Sequence, residues 1–218
     1  MGPWWNSITI LFIACVVSFI WSKVLQVNFI DYLVKIFFSL STWYYIISCL
    51  NDATEIFNKR YSRVLINSKI PIYNYIVRSS LNSFIIYIHN LPLILIFLIF
   101  YNKLILSNLL FYFFGLFLFF LLSFFIYLFI GVICARFRDF GPLIKTITAP
   151  LMLITPVVWD KSDIGYYEKL VYLNPFTSFL EIISIPLLNQ KIIFLPYIIV
   201  ISTIIVSISL FFFIYDKF

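Results

Sequence analysis

The sequence predicts an all-α integral membrane protein of six transmembrane helices, with an interfacial segment between the second and third and a re-entrant segment before the last. Three observations predict it. The chain of 218 residues is 63% hydrophobic, 22% aromatic and only 11% charged, with a mean hydropathy of +1.06. A water-soluble domain of that size cannot bury so much apolar surface. The run from Leu104 to Ala135 carries no charge over 32 residues, beyond the roughly 20 that span hydrocarbon as a helix. The charged residues fall between apolar runs of spanning length, and no stretch of domain size has ordinary charge density. The net charge of +6 is scattered singly, which reads as membrane topology and not as a nucleic-acid surface. Cys15, Cys49 and Cys134 sit in or at the ends of apolar runs, without CxxC spacing, and read as packing residues.

The first span covers residues 4–21 and opens after Pro3, which the first helical turn tolerates because its amides are unpaired there. No basic n-region or small-residue cleavage site marks it as a secretory signal, so it is read as retained. Lys23, Asn28 and Asp31 form a polar turn before the second span, 32–50, whose Lys35 can snorkel to the surface. From Asn51 to Arg78 the charges Asp52, Glu55, Lys59, Arg60, Arg63, Lys69 and Arg78 alternate with Ile56, Val64 and Leu65, the pattern of an interfacial amphipathic helix. Pro71 stops it near Lys69. The third span, 80–101, is joined by a short loop to the fourth, 108–135, which makes the two antiparallel neighbours. The fifth, 143–159, is short and contains Pro150 and Pro156; the last covers 192–215.

Six spans put both termini on one side. With the termini cytoplasmic, the inner segments hold nine basic residues (Lys59, Arg60, Arg63, Lys69, Arg78, Arg136, Arg138, Lys145, Lys217) and the outer ones six. All five arginines then lie inside, as the positive-inside rule favours.

Candidate functional residues fall in three places. The basic inner segments, Asp52 to Lys69 and Arg136 to Lys145, read either as lipid-headgroup anchors or as a docking surface for a soluble partner. Arg136 and Asp139, three apart, share a helical face. His89 and Asn90, with Pro92 behind them, sit mid-span, where polar groups face protein or a wet cavity. A lone His–Asn pair reads as an interhelical hydrogen-bonding device or as a proton relay, and a single histidine excludes a multi-histidine metal site. The outer segment carries Trp159, Tyr166, Tyr167, Tyr172, Asn174, Pro175, Phe176 and Phe179, either an aromatic belt or two short helices dipping back toward the membrane beside a cavity that sugar rings would suit. No phosphate loop, HExxH, GxSxG or paired catalytic acids are present, so no catalytic residue, metal or cofactor is expected.

The motifs Gly2-Pro3-Trp4-Trp5, Asp31-Tyr32-Leu33, His89-Asn90, Ala135-Arg136-Phe137-Arg138-Asp139, Pro156, Leu173-Asn174-Pro175-Phe176 and Pro186-Leu187-Leu188 occur in this order along the whole chain. In this the chain resembles the permease subunits of type II ABC transporters that export bacterial surface polysaccharide, closest to the O-antigen or lipopolysaccharide branch. The resemblance implies a homodimer in the inner membrane that binds two copies of a separate nucleotide-binding ATPase, lies among membrane lipid and moves a lipid-linked glycan outward, with no nucleic acid involved. It implies a cytoplasmic coupling helix over Asp52 to Lys69, with Asp52, Glu55, Arg60, Arg63 and Lys69 facing the ATPase. Trp4, Trp5, Arg136, Arg138 and Asp139 map to the inner gate. His89, Asn90, Trp159, Tyr166, Tyr172, Asn174, Pro175 and Phe176 map to the transport path and outer gate, and Ile164 to Leu188 to the re-entrant helices. Two departures stand out: the family's interfacial helix before Gly-Pro-Trp-Trp and its basic, aromatic C-terminal extension are missing from these 218 residues. Other lipid-linked polymers, such as capsule or teichoic acid, and a non-transport scaffold of glycan assembly are the competing expectations.

Overall fold

The computed structural model describes residues 2–57, 71–100, 106–137, 139–188 and 192–215. Among the described residues there are eight α-helices, one 3₁₀ segment and no strand: α1 (Gly2–Leu25), α2 (Phe29–Glu55), α3 (Ile72–Ile88), α4 (Leu91–Phe100), α5 (Leu106–Arg136), α6 (Phe140–Ile154), the 3₁₀ segment (Lys161–Leu173), α7 (Pro175–Leu188) and α8 (Phe194–Tyr215). Five spans long and apolar enough to cross a bilayer occur among them, with α3 and α4 counted as one. A sixth arises if the 3₁₀ segment and α7 together make a broken one. The chain is an all-α membrane protein with a bent, re-entrant-like pair before its last helix.

Local chemistry explains where these helices begin and end. α1 stops at Leu25 because Gln26 takes a left-handed backbone (φ 55°) and the Val27 amide reaches back to the Ser22 carbonyl at 3.1 Å, closing the end in a Schellman arrangement. Two residues on, the Asn28 side chain accepts from the amides of Ile30 (2.9 Å) and Asp31 (3.4 Å), capping α2. The Asp31 carboxylate in that first turn suits the positive end of the helix dipole. A tight α1–α2 hairpin results.

α2 is the central helix. Of its most apolar window, 78% is buried, against 22% for α1 and for α8. It packs against α1, α3, α5, α6 and α7. Beyond Glu55 it passes into a π-type turn at Ile56 and Phe57, so Asp52 and Glu55 continue the helix of the second span and do not open a separate one. The remainder of the expected coupling helix, with Arg60, Arg63 and Lys69, lies outside the described residues, as does Arg138.

Two of the expected spans are interrupted. The third divides at His89 and Asn90, because Pro92 has no amide to give the Ile88 carbonyl and the ladder must be broken there. The apolar run expected as a span over 143–159 is helical only over Phe140–Ile154. Thr155 is extended (φ −91°, ψ 138°), as the residue before Pro156 must tend to be. Those 15 residues rise about 22 Å, short of a hydrocarbon core of about 30 Å.

α5 holds the core together through close approach. A Cβ on Gly115 would lie 2.6 Å from the Ile182 carbonyl of α7, and one on Gly131 would lie 2.9 Å from Ile56 and Phe57 side-chain atoms. The first crossing needs glycine because a backbone carbonyl stands in the way, whereas at the second the Ile56 and Phe57 side chains would have to shift. Asn108 donates to the Pro186 carbonyl (3.0 Å), whose helical amide partner would lie beyond the end of α7 at Leu188.

Candidate translocation site

A cleft of about 700 Å³ opens between α1, α2 and α3, lined by Gly2 and Asn6, by Ser41 to Asp52 of α2, and by Asn82, Ser83, Ile86, Tyr87 and Asn90. α2 carries its polar groups at helical spacing (Ser41, Tyr44, Ser48, Asn51), and α3 brings Asn82 and Ser83 with Asn90 in the break that follows it, so both helices turn polar groups toward the cleft. The wall is almost wholly neutral: Asp52 is the one charged lining residue among those described. Its Oδ2 accepts from the Tyr127 hydroxyl of α5 at 3.3 Å, and that hydroxyl lies 2.8 Å from Ser83 Oγ, so one network joins α2, α3 and α5.

Three atoms of cleft-lining residues are shielded from solvent and have no hydrogen-bond partner: Ser41 Oγ, Asn51 Oδ1 and Asn90 Oδ1. Ser41 and Asn90 are each only 1% exposed. An unpaired buried polar group costs on the order of 1–3 kcal/mol by protein mutational data. All three belong to residues that border the cleft but lie behind its surface, so they stay unpaired within the packing between the helices.

A second, smaller chamber of about 230 Å³ lies near the other end of α2, between Asp31, Lys35 and Ser39, the Pro156–Lys161 turn, and Glu181 and Ser184 of α7. Adjacent residues tie the turn to two helices. Asp160 takes Lys35 of α2, and Lys161 donates to Glu181 of α7 (2.8 Å) and to the Tyr172 hydroxyl (2.7 Å), with its ammonium 5.0 Å over the Tyr172 ring. Burial pushes the Asp160 carboxyl up, but the Lys35 ammonium and bonds from Ser162 more than offset it, and the group is held below the usual carboxylate range. Asp160 also caps the 3₁₀ segment reciprocally with Asp163. Gly165 (φ 54°, ψ −116°) then kinks the segment, a conformation that suits glycine. At its end the Asn174 side chain accepts from the Phe176 amide (3.1 Å) and donates to Thr155 Oγ1 (2.9 Å), while Pro175 starts α7 with its fixed φ. The chain bends there by 110°.

The residues singled out in the sequence divide between these places. His89 and Asn90 stand at the break beside the cleft, and the Trp4 ring meets the His89 ring edge-on at 5.4 Å. Trp5 is exposed. Trp159 lines the chamber and donates to the Leu153 carbonyl (3.0 Å); Tyr172, Asn174 and Pro175 shape the bend; Phe176 packs on Trp43. Tyr166 projects away, 94% exposed beside Tyr167. Asp52 lies in the cleft wall, and Glu55 pairs with Lys145 of α6. Arg136 and Asp139 are exposed around the α5–α6 turn.

Sequence reasoning missed Asn6, Ser41, Ser48, Asn51, Asn82 and Ser83, whose three-and-four spacing was there to be read. It also missed Lys35, Asp160, Lys161 and Glu181. The last is a lone acid in an apolar run, a pattern that marks a buried and paired carboxylate.

Helices of spanning length around a cleft that is almost wholly neutral among the described residues define a polytopic membrane protein. The family model for the ABC-2 type transporter matches residues 1–188, and the chain belongs to that family. It is a membrane subunit of an ABC exporter, and permeases of this family work with a separate ATPase subunit. No curated protein matches the sequence.

Proposed function

We propose that this chain is the permease of an ATP-driven exporter of lipid-linked polysaccharide, O-antigen-like, working as a homodimer with two ATPase copies in the bacterial inner membrane, both termini cytoplasmic. The observation that carries this reading is the cleft: an opening of about 700 Å³ between α1, α2 and α3 whose wall, almost wholly neutral among the described residues, sets hydroxyls and amides among apolar and aromatic side chains. Such a wall exchanges hydrogen bonds with a hydroxyl-rich polymer as readily as with water, so a glycan passes it without a net desolvation cost. Among the described residues it offers no cationic lining for a polyphosphate backbone such as teichoic acid.

The Asp52 end of α2, where Glu55 pairs with Lys145 and α5 packs through Gly131 against Ile56 and Phe57, is then the cytoplasmic end. The ATPase docks beside it through the segment continuing to Lys69, and Trp4, Trp5, Arg136, Arg138 and Asp139 flank the inner opening. The bend at Asn174-Pro175, with Trp159, Tyr172 and Phe176, forms the outer gate.

A clean deletion is expected to abolish surface glycan, and the tagged chain is expected to co-purify with an ATPase. Normal glycan display in the deletion strain would sink the reading. Reversing Arg60 and Arg63 to Glu is expected to cut ATPase co-purification at least tenfold while membrane insertion is unchanged. Undiminished co-purification would remove the coupling role from that segment.

A further inference from the structure

One face of α3 carries two ridges side by side. Asn74, Arg78 and Asn82 recur every fourth residue, as do Val77, Leu81 and Ile85 next to them, so each set lies along one line of the helix. All six residues are exposed, and together they line a groove of about 720 Å³ on the flank of the bundle. Asn82 borders both this groove and the cleft. Its neighbour Ser83 is joined through Tyr127 to Asp52, which places the groove at the Asp52 end of the cleft.

Arg78 lies in the second turn of the span that opens at Tyr73. Its guanidinium is permanently charged. Lys35, Lys145 and Lys161 each meet a carboxylate, but Arg78 has no ion pair or hydrogen bond among the described residues, and none of those lining the groove is acidic. A cation at the edge of a span takes its counter-charge from the membrane surface when the protein supplies none.

The lining narrows what that counter-charge is. The arginine fork matches two oxygens of one phosphate, and the Asn74 and Asn82 amides, one turn to either side, add N–H donors. One positive charge balances the single negative charge of a phosphodiester. An ethanolamine ammonium would find no carboxylate among the described lining residues, so an anionic headgroup fits better than a zwitterionic one. The apolar ridge runs on to Ile85, three residues or about 4.5 Å further into the span than Asn82, as an acyl chain runs inward from its headgroup.

We propose that this groove is a site for one anionic phospholipid of the membrane, its phosphodiester held by Arg78 between Asn74 and Asn82 and an acyl chain lying along Val77, Leu81 and Ile85. The site goes beyond the export reading and holds whatever the cargo is. Because Asn82 is shared, the seated lipid stands against the α3 wall of the cleft.

The test is native mass spectrometry of the full chain, purified in detergent with an equimolar mixture of phosphatidylglycerol and phosphatidylethanolamine of the same acyl chains. Phosphatidylglycerol is expected to be retained at least fivefold over phosphatidylethanolamine, at one molecule per chain. Arg78→Gln should cut that adduct at least fivefold. Should that variant fail to fold, Asn74→Ala with Asn82→Ala keeps the charge and should still cut the adduct at least threefold, a loss that charge attraction alone would not produce. Lys23→Gln removes an equal exposed charge from the last turn of α1 and should alter nothing. Equal retention of the two lipids by the native chain, or an equal loss in Lys23→Gln, overturns the site and leaves only unselective lipid around the bundle. Displacement by excess inorganic phosphate would show that the apolar ridge plays no part, and displacement by an equal amount of farnesyl diphosphate would give the groove to the lipid that carries the cargo; either result overturns the phospholipid. None of these readouts involves surface glycan, so the export reading stands or falls separately in the deletion strain.

Discussion

The cleft and the chamber share α2 as a wall but keep their polar groups in opposite ways. In the cleft the lining is almost wholly neutral among the described residues, and Ser41 Oγ, Asn51 Oδ1 and Asn90 Oδ1 of the surrounding residues are left unpaired. In the chamber, full charges are present, and each of Lys35, Asp160 and Lys161 is tied to a named partner. The contrast shows where this membrane protein tolerates charge. A neutral group at membrane depth can stay unpaired, whereas an ion must bring its counter-ion within the fold. The cleft therefore keeps neutral polar groups, and the chamber keeps ions that are already paired.

The largest test of that contrast removes a counter-ion. Lys161→Met strands the buried Glu181 carboxylate and is expected to cost about 3–5 kcal/mol, a fall of about 10 °C in the melting temperature of the detergent-solubilised chain. The double variant Lys161→Met, Glu181→Leu should recover most of it. A single variant as stable as the native chain would show that the pair is not needed. Next in size, Ser41→Asp puts an unpaired charge into the cleft and should cost about 2.5–3.5 kcal/mol. Ser41→Ala should be neutral by the same melting assay, because the hydroxyl it removes has no partner. Equal effects of the two would mean that the cleft is dry and packed.

Gly115→Ala tests the crossing of α5 and α7 that keeps Glu181 in place. The added Cβ would lie 2.6 Å from the Ile182 carbonyl, so the helices must part, at about 1–3 kcal/mol. The smallest effect is expected at Asp160, which is about half exposed. Asp160→Asn should cost under about 1 kcal/mol near neutral pH. The native Asp160 has a depressed pKa when folded. Its contribution is present above the carboxyl's unfolded value and is lost as pH falls through the folded one. Melting curves taken from neutral pH down into the acid range should converge for native chain and variant; a gap that widens on acidification would contradict the Lys35 tie.

Much of the fold was legible because hydrocarbon thickness sets helix length, so charge-free runs such as Leu104 to Ala135 could only be spanning helices. The bend at Asn174-Pro175 was legible too, since an Asx cap followed by proline is a helix start wherever it stands. The chamber was not, for a geometric reason. Lys161 and Glu181 are 20 residues apart in sequence, and only the 110° bend returns α7 to the turn that carries Lys161. Nor did the sequence show that Asp52 would continue α2 into the cleft wall, because charge alone does not tell an interfacial helix from the last turn of a span. Trp159 and Asn90, named for one path, stand in different openings because α2 runs between them.

Ser39 faces the chamber and Ser41 the cleft. Two residues along a helix are about 200° apart, so the two openings lie on nearly opposite flanks of one rod. Turning that rod would withdraw a wall from one opening while pressing it into the other. The Lys35–Asp160 tie resists such a turn at one end, and the Asp52–Tyr127 bond resists it at the other. Because each opening takes a wall from α2, a rotation of that one helix would alter both at once, and the two ties at its ends oppose it.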